Sequence, residues 1–66
     1  MIIKINGKDE TVGKKLNLAE LVAAKKLSPE KIVIEYNLRI VPRDKWRNVI
    51  LQESDHIEIV SFVGGG

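Results

Sequence analysis

The residues best placed to do chemistry in this chain are the last three, Gly64-Gly65-Gly66. They follow Ile57 to Val63, a run that reads as a β-strand. Glycine has no Cβ, costs the most entropy to order, and lets a backbone pass where no other residue fits. Such a tail packs poorly and threads well. The expectation is a flexible segment, 64–66, that inserts into another protein's active site. Gly64 and Gly65 would be the threaded part and the Gly66 carboxylate the group to be modified.

Rival reactive groups are few. The chain has no cysteine, which excludes a thiolate nucleophile, a cysteine zinc site and an iron–sulfur cluster. It also fits a reducing compartment. The single histidine, His56, leaves no triad and no multi-histidine metal site; it reads as a surface residue beside a turn. Asp9 with Glu10, and Glu53 with Asp55, are acidic pairs in predicted turns. Catalytic carboxylate pairs must flank a pocket, and a domain this small has little room for one. Both pairs are expected to be solvated. There is no Gly-x-x-x-x-Gly-Lys-Ser/Thr loop to hold a nucleotide. The reading is therefore no catalytic residue, no metal and no bound cofactor. Any activating machinery must come from a partner.

Length and charge narrow the class further. Sixty-six residues make one domain, and a chain this short buries only about 60% of its unfolded surface. The net charge is +2, from 11 basic and 9 acidic residues. Only Arg39, Arg43, Lys45 and Arg47 form a denser basic group. With one Trp, one Tyr and one Phe, the chain lacks the basic stripe interleaved with aromatics of a nucleic-acid binder. No apolar run approaches the ~20 residues that span a bilayer. The opening Met1-Ile2-Ile3-Lys4 lacks the charged and apolar regions of a signal peptide. A soluble, cytoplasmic protein without membrane or nucleic-acid partners is expected.

The elements that must position the tail follow from periodicity and turn chemistry. Met1 to Ile5 reads as a strand, Asn6-Gly7 as a two-residue hairpin turn, and Asp9 to Val12 as a second strand. Asn17 reads as a helix N-cap with Glu20 closing a capping box, and Leu16 and Leu21 as a hydrophobic staple. The helix is expected over 18–26, with Leu18, Leu21 and Val22 on one face and Lys25 and Lys26 at its negative end. Ser28-Pro29-Glu30 reads as a capped single turn. Ile32 to Tyr36 is a strand with Ile32, Ile34 and Tyr36 on one face and Val33 and Glu35 on the other. Arg39 to Val41 is a short extended piece ended by Pro42, and Arg43 to Arg47 a polar turn around Trp46. Ile57 to Val63 is the last strand, with Ile57 and Ile59 on one face and Glu58, Val60 and Phe62 on the other.

The order β-β-α-β-(short β)-β predicts an α+β, two-layer β-grasp: a mixed sheet of four to five strands with one helix packed across it. The first and last strands should lie side by side and parallel at its centre. Residues 1–63 form this domain and 64–66 the tail. Val60, Phe62 and Val33 point away from the core and form a candidate docking patch, although small sheets expose scattered apolar residues anyway. Arg39, Arg43 and Arg47 face either an acidic partner surface or solvent, and Arg43 is a further docking candidate. Trp46 is expected as a core lid.

A β-grasp of this size ending in glycines resembles the ubiquitin-like sulfur carriers, and within them the ThiS family. Ile40-Val41-Pro42-Arg43 followed by Trp46 resembles that family's Val-Pro-Arg-x-x-Trp segment. Asp55-x-Ile57-Glu58-Ile59-Val60 resembles its turn and last strand, and Phe62-Val63-Gly64-Gly65-Gly66 its tail. The chain departs from the family where Leu38 and Ser54 stand, two turn positions that often hold glycine.

The resemblance implies a protein substrate and not an enzyme. An E1-like (ThiF-like) adenylyltransferase would use ATP to adenylate Gly66. A persulfide, supplied through a sulfurtransferase or a cysteine desulfurase, would displace AMP and leave a Gly66 thiocarboxylate. That group would donate sulfur to a ThiG-like thiazole synthase in thiamine biosynthesis. A related carrier, such as the small subunit of molybdopterin synthase, or a ubiquitin-like modifier, would share the fold and the tail.

Overall fold

The computed structural model describes residues 1–62; Val63 and the glycine tail lie outside the described residues. The element order is β1 (Ile2–Ile5), β2 (Lys8–Thr11), α1 (Leu18–Ala24), a 3-10 turn (Pro29–Lys31), β3 (Ile32–Tyr36), β4 (Arg39–Val41), a longer 3-10 turn (Arg43–Asn48) and β5 (His56–Ser61). The five strands form one sheet in the order β2-β1-β5-β3-β4. β1 and β5 pair in parallel and every other neighbour is antiparallel. This is the expected β-grasp, with β5 at the sheet's centre.

Turn chemistry fixes both hairpins. Asn6 and Gly7 each have positive φ, 50° and 83°, and join Ile5 to Lys8 in register, the two-residue turn that matches strand twist. Asn37 and Leu38 do the same between Tyr36 and Arg39, at φ 48° and 73°. Leu38 therefore occupies a left-handed position where glycine carries no Cβ penalty. Ser54, at φ 70°, is a second such case. The two departures from the family's glycines are thus both left-handed turn positions.

The capping box is formed as expected. Asn17 Oδ1 accepts from the Glu20 N–H at 2.8 Å, and Glu20 Oε1 accepts from the Asn17 N–H at 2.9 Å. The helix ends two residues earlier than the predicted 18–26. Lys26 turns left-handed at φ 58°, and the Lys26 and Leu27 N–H groups donate to the Ala23 and Val22 carbonyls. That is a Schellman closure with lysine where glycine is usual. Lys25 leaves the helix end for an ion pair with Glu10 on β2, at 2.8 Å. The Pro29 turn also differs from expectation, because the Ser28 side chain makes no capping bond.

The core lies between one sheet face and the helix. Ile3, Ile5, Ile34 and Ile57 pack with Leu18, Leu21 and Val22, and Trp46 and Leu51 join them. Trp46 is 3% exposed, and its indole N–H donates to the Val41 carbonyl at 2.9 Å. Burying the ring while satisfying its one donor makes it the core lid that was expected.

Candidate functional site

Strand alternation divides β5 between the two faces. Ile57 faces the core and is fully buried, whereas Glu58 and Val60 face out. The register places Val33 directly opposite Val60 and Glu35 directly opposite Glu58. Phe62 continues the outward row, and its N–H donates to the Lys31 carbonyl at 3.1 Å. Val33 is 37%, Val60 57% and Phe62 59% exposed, so three of the four docking candidates share the open face. Ile40 joins them. It pairs with Glu35 and is 67% exposed. Only the two-residue Asn37-Leu38 turn sets its register, so its partner was not legible in the short β4 sequence.

Arg43 is elsewhere. It lines a groove of 560 Å3 in the helix layer, with Trp46, Leu27, Pro29, Glu30 and Ala23 of α1. The sheet separates that groove from Val33 and Val60. The structure thus does not bring Arg43 together with the other docking candidates. Gly64, Gly65 and Gly66 lie outside the described residues.

The acidic turn residues divide. Asp9 is exposed and pairs with Lys4 at 3.0 Å. Asp55, expected to be solvated, is 7% exposed. Its carboxylate accepts from the Tyr36 hydroxyl, from Asn37 Nδ2 at 3.1 Å and from the Gln52 N–H at 2.7 Å. A buried carboxylate holding three donors is a structural clamp. Burial first, then the hydrogen bond and negative charge of Asp55, push the Tyr36 phenol up to about 12. Asn37 extends the cluster, since its Oδ1 accepts from the His56 N–H at 2.8 Å. The cluster fixes the start of β5.

The middle of β5 has its own anchor. Asn6 Oδ1 accepts from the Ile59 N–H at 2.7 Å, and Asn6 Nδ2 donates to the Ile59 carbonyl at 3.3 Å. The amide thus pairs with β5 where β1 has already turned away. Among the described residues no group of three or more His, Asp or Glu is placed to hold a metal. No helix among them is long and apolar enough to cross a membrane.

What the arrangement offers is a folded platform with a partly apolar face, whose central strand is the last before the glycines in sequence. Comparison with known proteins gives consistent relatives. The family model of the ThiS family matches residues 3–66. The chain is 35% identical over 66 residues to the sulfur carrier protein ThiS of Bacillus subtilis, covering 98% of this chain and all of that one. It is 38% identical over 66 residues to a thiazole synthase of Magnetococcus marinus, covering all of this chain and 20% of that protein. The chain therefore spans about a fifth of the synthase's length. The crystal structure of a thiamine biosynthesis protein (ThiS) from Geobacter metallireducens superposes with a TM-score of 0.86 at 32% identity, covering both chains fully.

Proposed function

This chain belongs to the ThiS family of sulfur carriers in thiamine biosynthesis, and from that premise we propose that Gly66 is its working group. The carboxylate is anionic and has no good leaving group, so it must be activated before sulfur can enter. An E1-like adenylyltransferase transfers AMP from ATP to the Gly66 carboxylate and releases pyrophosphate. A persulfide sulfur then attacks the acyl carbon and AMP leaves. A second thiol attacks the persulfide carrier's own sulfur, forming a disulfide with it and releasing the Gly66 thiocarboxylate, a soft nucleophile. The chain is a substrate in this scheme, and ATP and sulfur are handled by its partners.

The observation that carries the proposal is the family match through residue 66, which takes in the whole glycine tail. Thiazole synthase is the proposed acceptor. Support comes from the thiazole synthases of Magnetococcus marinus and Paramagnetospirillum magneticum, each of which contains a segment similar to this whole chain. The open face with Val33, Val60 and Phe62 supplies docking, and the tail delivers its end at high effective concentration. Gly64 and Gly65 thread the partner's channel. Arg43, on the helix-layer groove, would serve a contact separate from that face.

The test is the mass of the intact chain after incubation with its activating enzyme, ATP and a sulfur source. The expected gain is the difference between one sulfur and one oxygen atom, located on Gly66 by fragmentation. An unchanged mass with a demonstrably active cognate enzyme would sink the proposal. Deleting Gly66 should abolish the gain without lowering the unfolding midpoint.

A further inference from the structure

The open sheet face contains a pairing that folding alone disfavours. Glu35 lies directly opposite Glu58 across β3 and β5, both on the outward face. Directly opposed residues have Cβ atoms about 5 Å apart, and like charges so placed destabilise a sheet. The ion pairs among the described residues are Lys4–Asp9 and Lys25–Glu10, so neither glutamate is neutralised within them. The row alongside is the apolar pair Val33 and Val60, and Ile40 flanks Glu35 on β4. On the other side, the Asn37 side chain is engaged by Asp55 and the His56 N–H.

Two opposed carboxylates are thus embedded in the edge of an exposed apolar patch. A partner that covers Val60, Phe62 and Ile40 must also desolvate these charges, and it binds only if it compensates them. A guanidinium is suited to the task, because its planar fork donates to two carboxylates at once and it is weakly hydrated. We infer that Glu35 and Glu58 together receive one arginine of the thiazole synthase as its apolar surface packs on Val33, Val60, Phe62 and Ile40. The inference rests on the docking face proposed above and adds the charge that the partner must carry. The cost of the opposed pair to the free domain is the counterpart of its selectivity in the complex.

Titration calorimetry of the full chain with its cognate thiazole synthase, at low and at high salt, tests this. Glu35→Gln and Glu58→Gln should each weaken binding about tenfold at low salt and much less at high salt, where screening removes the charge term. Both variants should also raise the urea midpoint of the free chain, because the repulsion is gone. Val60→Asp should weaken binding at either salt concentration. If Val60→Asp loses binding while both glutamine variants and their double stay within about twofold, the arginine receiver is overturned and the docking face stands. If Val60→Asp also binds normally, the docking face itself falls. Glutamine variants that bind more weakly by the same factor at both salt levels, or that lower the urea midpoint, would overturn the receiver as well.

Discussion

Replacing Asp55 by alanine should cost this domain far more than replacing any other acidic residue. Its carboxylate is 7% exposed and accepts three hydrogen bonds, from Tyr36, Asn37 and the Gln52 backbone. Hydrogen bonds to a charged acceptor contribute about 1.5–3 kcal/mol each, and a buried donor left unpaired costs about 1–3 kcal/mol. The half-buried Tyr36 and the exposed Asn37 can recruit water once the carboxylate is gone, so the simple sum overstates the loss. Roughly 3–4 kcal/mol is expected for Asp55→Ala. A chain of 66 residues has a total stability of roughly 3–10 kcal/mol, so this variant sits near the folding threshold. The assay is urea unfolding followed by the fluorescence of Trp46, which is buried only in the folded state. Asp9→Ala, which removes one exposed ion pair, should change stability by less than about 0.5 kcal/mol. A loss below about 1 kcal/mol for Asp55→Ala would refute the clamp.

The same cluster has a pH signature. The phenol of Tyr36 is raised from 10.0 to about 12 in the folded state, so the fold favours its protonated form. Stability from this source is fully present below about pH 10 and is lost as pH rises toward about 12, on the order of 2 kcal/mol after allowing for partial exposure. Tyr36→Phe should abolish that alkaline loss while costing about 1–2 kcal/mol at neutral pH. An unchanged slope above pH 10 in the variant would contradict the assignment.

Further predictions concern the turns and the helix. Leu38→Gly should stabilise the domain by about 0.5–1 kcal/mol, because Leu38 is 89% exposed at φ 73° and only the left-handed strain is at stake; urea midpoints decide it. Ser54→Gly should act in the same direction for the same reason, its φ being 70°. Asn17→Ala removes one half of the capping box and should cost about 1 kcal/mol, seen as a lower melting temperature with the folded-state circular dichroism spectrum retained.

The glycine tail, the strand and helix order, the capping box, the Asn6-Gly7 turn and the faces of β3 and β5 are all readable from the chain without its fold. These features are set by side-chain periodicity and turn chemistry over a few neighbouring residues, which is why they were legible locally. The helix ends earlier than its pattern predicts because lysine, not glycine, fills the left-handed closing position at residue 26. The remaining features exist only in the folded chain. Asp55 reads as one more turn carboxylate until β3 brings Tyr36 and Asn37 to it from 19 and 18 residues away. Glu35 and Glu58 each sit unremarkably in their own strands, and it is the antiparallel register that sets them face to face. Arg43 follows β4 by two residues in sequence, yet the 3-10 turn after Pro42 carries it to the helix layer. Contacts across such separations depend on register and packing, which the whole chain fixes together and no short window of sequence contains.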